Sequence, residues 1–151
     1  MTVYNDLYHR ITKLLCHQKW DAARSIVTKC IEQNLFVGYE YISMVGYLAF
    51  IEFYSGNKLK AANIIVKLIY DDIDRMERLQ IEHFKMITSF TLKISEVNEI
   101  IVNLERKYAN GEIRNIANIN AIKKFYKDRI EIYDKLNREY MSINYDLFIK
   151  H

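Results

Sequence analysis

The phrase KWDAARSIV, beginning at Lys19, returns as KLKAANIIV beginning at Lys58. Lys, Ala-Ala, Ile and Val fall at the same places thirty-nine residues apart, and Tyr8 and Tyr47, eleven residues upstream of each copy, keep that offset. A short unit used more than once leaves an apolar face uncovered in each copy, so the copies must stack to bury it. The chain has no proline and only four glycines, Gly38, Gly46, Gly56 and Gly111. Barrels and sandwiches need many turns, and turns draw heavily on those two residues. The sequence therefore predicts an all-α fold of few, long helices.

Apolar spacing divides the chain into helix pairs. Leu7, Ile11, Leu14 and Leu15 form the first stripe, which HQKWD interrupts. A second stripe runs through Ala22, Ala23, Ile26, Val27, Cys30 and Ile31, with Asp21 placed to cap it. Asn34 and Gly38 tolerate the left-handed backbone that ends such a helix. Residues 39–54 are apolar nearly all the way round, the pattern of a helix buried on several sides at the centre of the molecule. SGN at 55–57 is a turn with Gly56 as helix terminator, and the next helix turns Ala61, Ala62, Ile65, Leu68 and Ile69 inward.

A third pair follows, with Leu79, Phe84, Ile87, Phe90, Thr91 and Ile94 near helical spacing and Ser95 as the cap of its second helix. Asn110-Gly111 is the stop signal. Beyond it Ile119, Ile122, Phe125, Tyr126, Ile130, Tyr133, Leu136, Tyr140 and Ile143 mark one face of one long helix, or two. The expected architecture is a single domain over 1–151, with pairs at about 4–36, 39–71 and 76–109 and a cap at 112–148. The alanine doublets read as points where the second helix of a pair presses closely on the first, where larger side chains would hold the backbones apart.

FYSGNKLKAANIIVKLI (53–69) and, more weakly, LCHQKWDAARSIVTKCI (15–31) resemble the tetratricopeptide (TPR) superfamily of helical repeats. The residues that carry the resemblance are Gly56 at the turn and the small Ala61 or Ala62, and Ala22 or Ala23, early in the second helix. The standard repeat is about 34 residues. The longer spacing here is closer to the variant repeats of bacterial regulators and chaperones. The resemblance implies a stack of three antiparallel pairs closed by the terminal helix, with the first helix of each pair lining an inner surface. It makes Tyr8, Tyr47, Phe50 and Tyr54 the expected anchors for a bound peptide or helix.

Chemical motifs are absent. There is no G-x-S-x-G, Gly-rich phosphate loop, H-E-x-x-H or C-x-x-C, so neither an enzyme nor a cofactor or metal site is expected. His83 reads as a surface residue, and DDIDRMER (71–78) as a solvated linker. Cys16 and Cys30, on helices joined near 17–19, lie beyond the ~6 Å a disulfide needs and read as free, buried thiols.

The net charge is +3, and the whole excess lies in the last third, where residues 101–151 carry ten basic and seven acidic side chains. There KKFYKDR interleaves bases with aromatics, and Lys123, Lys124 and Lys127 are candidates for an acidic partner. Asp128, Glu131 and Asp134 follow at once, with Lys127/Glu131 an i,i+4 pair, which argues against nucleic acid. The N-terminus lacks the basic start and apolar run of a secretory signal, and no stretch reaches the roughly eighteen apolar residues that span a bilayer. The expectation is a cytoplasmic protein with no membrane contact.

The functional expectation is an adaptor or chaperone that holds an extended or helical segment of another protein. The alternatives are a transcription regulator whose basic last third contacts DNA, and a helical structural protein that self-associates, as a homodimer, through residues 118–148.

Overall fold

The computed structural model of the chain describes the backbone of residues 3–150 and the side chains of residues 3–140. Seven helices follow in order: α1 (Val3–Cys16), α2 (Trp20–Glu32), α3 (Gly38–Tyr54), α4 (Lys58–Asp72), α5 (Arg78–Thr91), α6 (Ile94–Ala109) and α7 (Ile116–Lys150). A single 3-10 turn, Ile73–Arg75, sits between α4 and α5. Among the described residues there is no strand, so the fold is all-α. Among the described residues no helix is long and apolar enough to cross a membrane. The C-terminal segment is one helix rather than two.

The turns from α1 to α2 and from α3 to α4 are built alike. Gln18 (φ 56°) and Gly56 (φ 101°) both take the left-handed backbone. Behind each, an amide reaches back over the helix end: Lys19 N–H donates to the Leu14 carbonyl and Asn57 N–H to the Glu52 carbonyl, both at 2.8 Å. This arrangement satisfies carbonyls that the helix end would otherwise leave bare. The chain reverses within three residues each time, and the next helix folds back on the last.

The burial pattern of α2 matches that of α4 at an offset of thirty-eight, one less than the offset of the matching letters. Ala23 pairs with Ala61, Val27 with Ile65 and Cys30 with Leu68, all buried, while Ser25 and Asn63, and Lys29 and Lys67, are exposed. The doublets are therefore not equivalent. Ala61 and Ala62 are both buried, but Ala22 is exposed and only Ala23 is enclosed. Adjacent helical residues point about 100° apart, so both members are covered only where a helix has neighbours on two sides.

Helix α3 is the centre, as its all-round apolarity predicts: it packs against α2, α4 and α5. Ile42, Ala49 and Phe53 join the larger core with α4 to α7, while Met44 and Ile51 join the smaller one with α1 and α2. Gly46 is where α5 approaches most tightly, since a Cβ there would stand 3.2 Å from the Gln80 side chain.

The third pair departs from the first two. Helix α5 packs on α3 and α4, and α6 packs on α7, but the backbones of α5 and α6 do not pack closely on each other. Two causes are visible. The connecting residues Leu92 and Lys93 are extended rather than left-handed, which makes the reversal wide. At the place of Ala23 and Ala61, α6 carries Val97, fully buried, and the larger side chain holds the helices apart. A groove of about 470 Å³ opens between α4 and α6, walled by Ala62, Val66, Tyr70, Leu92 and Ile100.

Several local expectations are corrected. Lys19, not Asp21, precedes α2; Asp21 lies in its first turn and pairs with Arg24 at 2.7 Å. Helix α6 starts at Ile94, so Ser95 is inside it, and the Glu96 carboxylate accepts the Lys93 N–H at 3.1 Å. In α5 the inward stripe is Ile81, Phe84, Ile87 and Thr88, leaving Leu79 and Phe90 exposed. Cys16 is exposed; only Cys30 is buried. The 71–78 stretch is no solvated linker. Asp74 accepts the backbone N–H groups of Arg114 and Asn115, both at 2.8 Å, and Asn118 donates to the carbonyls of Ile73 and Met76, which clasps the 3-10 turn to the start of α7.

The register makes two opposite demands on adjacent alanines. Ala23→Leu is expected to cost about 1–3 kcal/mol by overpacking, and Ala22→Leu to stay within about 0.5 kcal/mol. Urea titrations of both variants check this, and equal losses would contradict the thirty-eight-residue register.

A candidate partner-binding face

Helix α3 carries Tyr47, Phe50 and Tyr54 at i, i+3 and i+7, a spacing that puts them on one stripe. Rings from neighbouring helices meet this stripe along its length. From α1, Tyr8 lies 6.2 Å from Tyr47 and 6.2 Å from Tyr4, which meets Phe36 edge-on. At the start of α2, Trp20 stacks on Tyr54 at 5.8 Å and 16° and meets Phe50 at 6.3 Å. From α5, His83 lies 5.1 Å from Phe50, the Met86 sulfur accepts the Tyr54 hydroxyl at 3.4 Å, and Phe90 meets Phe53 at 5.8 Å. The result is one row of aromatic side chains across α1, α3 and α5.

The row is unevenly covered. Tyr47 and Phe50 are half-buried, while Tyr8, Tyr54 and Phe90 are 37%, 48% and 69% exposed. Burial, then the neighbouring Tyr8 and Tyr4, pushes the Tyr47 phenol above its ordinary pKa. At the Phe90 end Lys58 Nζ stands 5.5 Å from the Phe53 ring and 5.9 Å from the Phe90 ring, placing a cation beside the last two aromatics. The four expected aromatic residues thus lie together on one face, and Tyr4, Trp20, His83, Met86 and Phe90 extend it.

His83 is not the surface residue expected. It packs on Phe50, and its Nδ1 is buried with no hydrogen-bond partner among the described residues. Burial lowers its pKa from 6.5 to about 4, so the imidazole is neutral near pH 7.

Under the row lies a polar cluster that periodicity did not disclose. Glu52 is completely buried. Its carboxylate accepts Arg24 Nε at 2.5 Å and Asn57 Nδ2 at 2.8 Å, with Lys60 Nζ at 3.9 Å. A second Arg24 nitrogen donates to the Ser55 hydroxyl at 2.5 Å. Desolvation pushes the Glu52 carboxyl upward, but hydrogen bonds from Arg24 and Asn57 and the charges of Arg24 and Lys60 outweigh it and hold the net pKa below the ordinary value. Trp20 and Arg24 are i,i+4 on α2, so the ion pair that holds Arg24 at the end of α3 also lays Trp20 on Tyr54. A glutamate set among Phe50, Ile51 and Phe53, away from Glu40 at the helix start, was the available signal.

The expected lysines are elsewhere. Lys123, Lys124 and Lys127 line a shallow groove between α6 and α7 with Asn98, Ile101 and Glu105. Lys123 pairs with Glu105 and Lys124 with Asp128, each at 3.5 Å. The expected Lys127/Glu131 pair is not formed among the described residues. Among those residues no group of three or more His, Cys, Asp or Glu is placed to hold a metal ion. No protein-family model, curated protein or solved structure matches the chain.

Truncating Glu52 to Ala removes the buried partner of Arg24, which keeps its contacts with Asp21 and Ser55, and is expected to cost about 1–3 kcal/mol in denaturant melts. Two of the shifted groups, His83 and Glu52, act in neighbouring pH windows. Between pH 6.5 and about 4 the unfolded chain binds a proton at His83 that the folded chain refuses, so stability falls as pH drops through that range. Glu52 contributes fully above its unfolded value of 4.5, and its contribution is lost as pH falls through the lower folded value. His83→Phe should flatten the first fall and leave the second. Stability profiles against pH for wild type and variant check the assignment.

Proposed function

We propose that this chain is a non-enzymatic binding module, an adaptor or chaperone of the tetratricopeptide-like kind, which holds an extended or helical segment of a partner protein along the aromatic row of α1, α3 and α5. One observation carries the reading: Tyr8, Tyr54 and Phe90 stay open to solvent on a row whose other rings lock them in place. Rigid, partly exposed aromatics lose little side-chain freedom on binding and anchor peptide interfaces well. Lys58 at one end of the row supplies an orienting charge at its rim.

The packing order also favours repeat stacking. Helix α3 lies on α2, α5 on α4 and α3, and α7 on α6 and α5, so each odd-numbered helix after the first meets the even-numbered helix before it. The DNA-contacting alternative draws less support, since two of its three lysines are neutralised by Glu105 and Asp128.

The test is co-purification from the native host with a photo-crosslinking residue placed at Tyr54. Wild type is expected to yield one stoichiometric polypeptide crosslinked at that position. Tyr8→Ala/Tyr54→Ala should weaken its capture about tenfold or more, the scale of truncating central aromatic anchors, while Lys127→Glu leaves capture intact. Equal capture by wild type and the aromatic variant would rule the row out as the binding surface.

A further inference from the structure

The first half of α7 belongs to the body. Ile119 and Ile122 are fully buried and Tyr126 packs on the same core, against α6 and α5. The second half does not. Every residue from 131 to 140 is exposed, including Ile132, Tyr133, Leu136 and Tyr140 at 59–64%. These are not scattered. Positions 119, 122, 126, 133, 136 and 140 follow one alternating three-four spacing, interrupted only by Arg129, and the sequence continues it at Ile143 and Leu147. An apolar seam with this period is the signature of two helices packing knobs into holes. One stripe therefore starts on the core, passes Tyr133 beside Lys93 and Ile94, and runs out through Leu136 and Tyr140, which stand largely open to solvent.

We propose that the distal half of α7, from about residue 131, pairs with the same segment of a second copy of this chain in an antiparallel two-helix arrangement. The seam points to a helical partner, and three features make that partner another α7. A heptad seam meshes with a helix of the same period, which an identical α7 supplies. Between 131 and 140 the charges are mixed, Glu131, Asp134 and Glu139 against Lys135 and Arg138, so two copies meet without strong repulsion. The four exposed apolar side chains offer on the order of 100 Å² each, about 800 Å² for a pair of chains, the scale of a weak, reversible interface.

Orientation follows from the shared stripe. Because Ile119, Ile122 and Tyr126 face the chain's own α5 and α6, a parallel partner would have to lay its first half where those helices already lie. An antiparallel partner brings only its free half and leaves its body at the far end.

The experiment is a sedimentation-equilibrium dilution series on the full chain. Wild type is expected at twice the 18.1 kDa chain mass. Leu136→Glu/Tyr140→Glu should return the monomer mass while keeping cooperative thermal unfolding, since both side chains are largely exposed. A wild type that stays monomeric throughout overturns the proposal and leaves the seam to a different polypeptide. A dimer that survives the double substitution overturns it too, by placing the contact elsewhere. For orientation, Tyr133→Cys in a Cys16→Ser background should not crosslink to itself under oxidation. Efficient self-crosslinking there would mean a parallel pair and overturn the antiparallel geometry.

Discussion

A fully buried carboxylate in the last turn of an apolar helix organises this molecule. Glu52 takes hydrogen bonds from Arg24 on α2 and from Asn57 in the turn before α4, so one side chain ties three consecutive elements together. Hydrophobic contact alone would hold α2 against α3 without fixing how far one slides along the other. A charge that has left water tolerates no such sliding, because its partners must stay within hydrogen-bond distance. Burying it is costly, and what it provides is register.

The aromatic row inherits that register. Arg24 is held at the end of α3, and one helical turn earlier Trp20 lies flat on Tyr54. Phe50 and Tyr54 then meet α5 through His83 and Met86, and Phe53 meets Phe90. Rings fixed by one another present area to a partner with little entropy left to lose, which is the physical basis for reading the row as a binding surface. Neutral His83 belongs to the same logic, since a charged imidazole against Phe50 would draw water into the row.

Much of the fold was legible in the sequence because its signals are local. Missing prolines, glycine at Gly56 and the inward stripe of α4 from Ala61 to Ile69 each act within a turn or two of helix. The aromatic half of the site was legible for a similar reason, as Tyr47, Phe50 and Tyr54 share a face at helical spacing. The helix starts at Asp21 and Ser95 were misplaced by two residues, and the other failures depended on partners distant in the chain. Letters aligned Ala22-Ala23 with Ala61-Ala62, yet burial aligns Ala23 with Ala61 and exposes Ala22, because α2 and α4 have different neighbours. His83 read as surface since nothing near it in sequence reveals Phe50, and Asp74 read as linker since the N–H groups that donate to it lie forty residues on. Ile143, marked as part of the α7 face, lies outside the residues whose side chains are described.

By itself the sequence determined the kind of elements, the central place of α3 and the turn at Gly56, since helix propensity, periodicity and left-handed turn residues act over a few positions. Only the tertiary structure decided which member of each alanine pair is enclosed, that α6 leaves α5 for α7, that Glu52 pairs with Arg24, and that the α7 stripe is half buried and half bare. These outcomes turn on side-chain volume and charge meeting across long separations, as with Val97 where Ala23 and Ala61 stand in the earlier pairs. A one-dimensional pattern carries the period of a stripe but not what comes to lie against it.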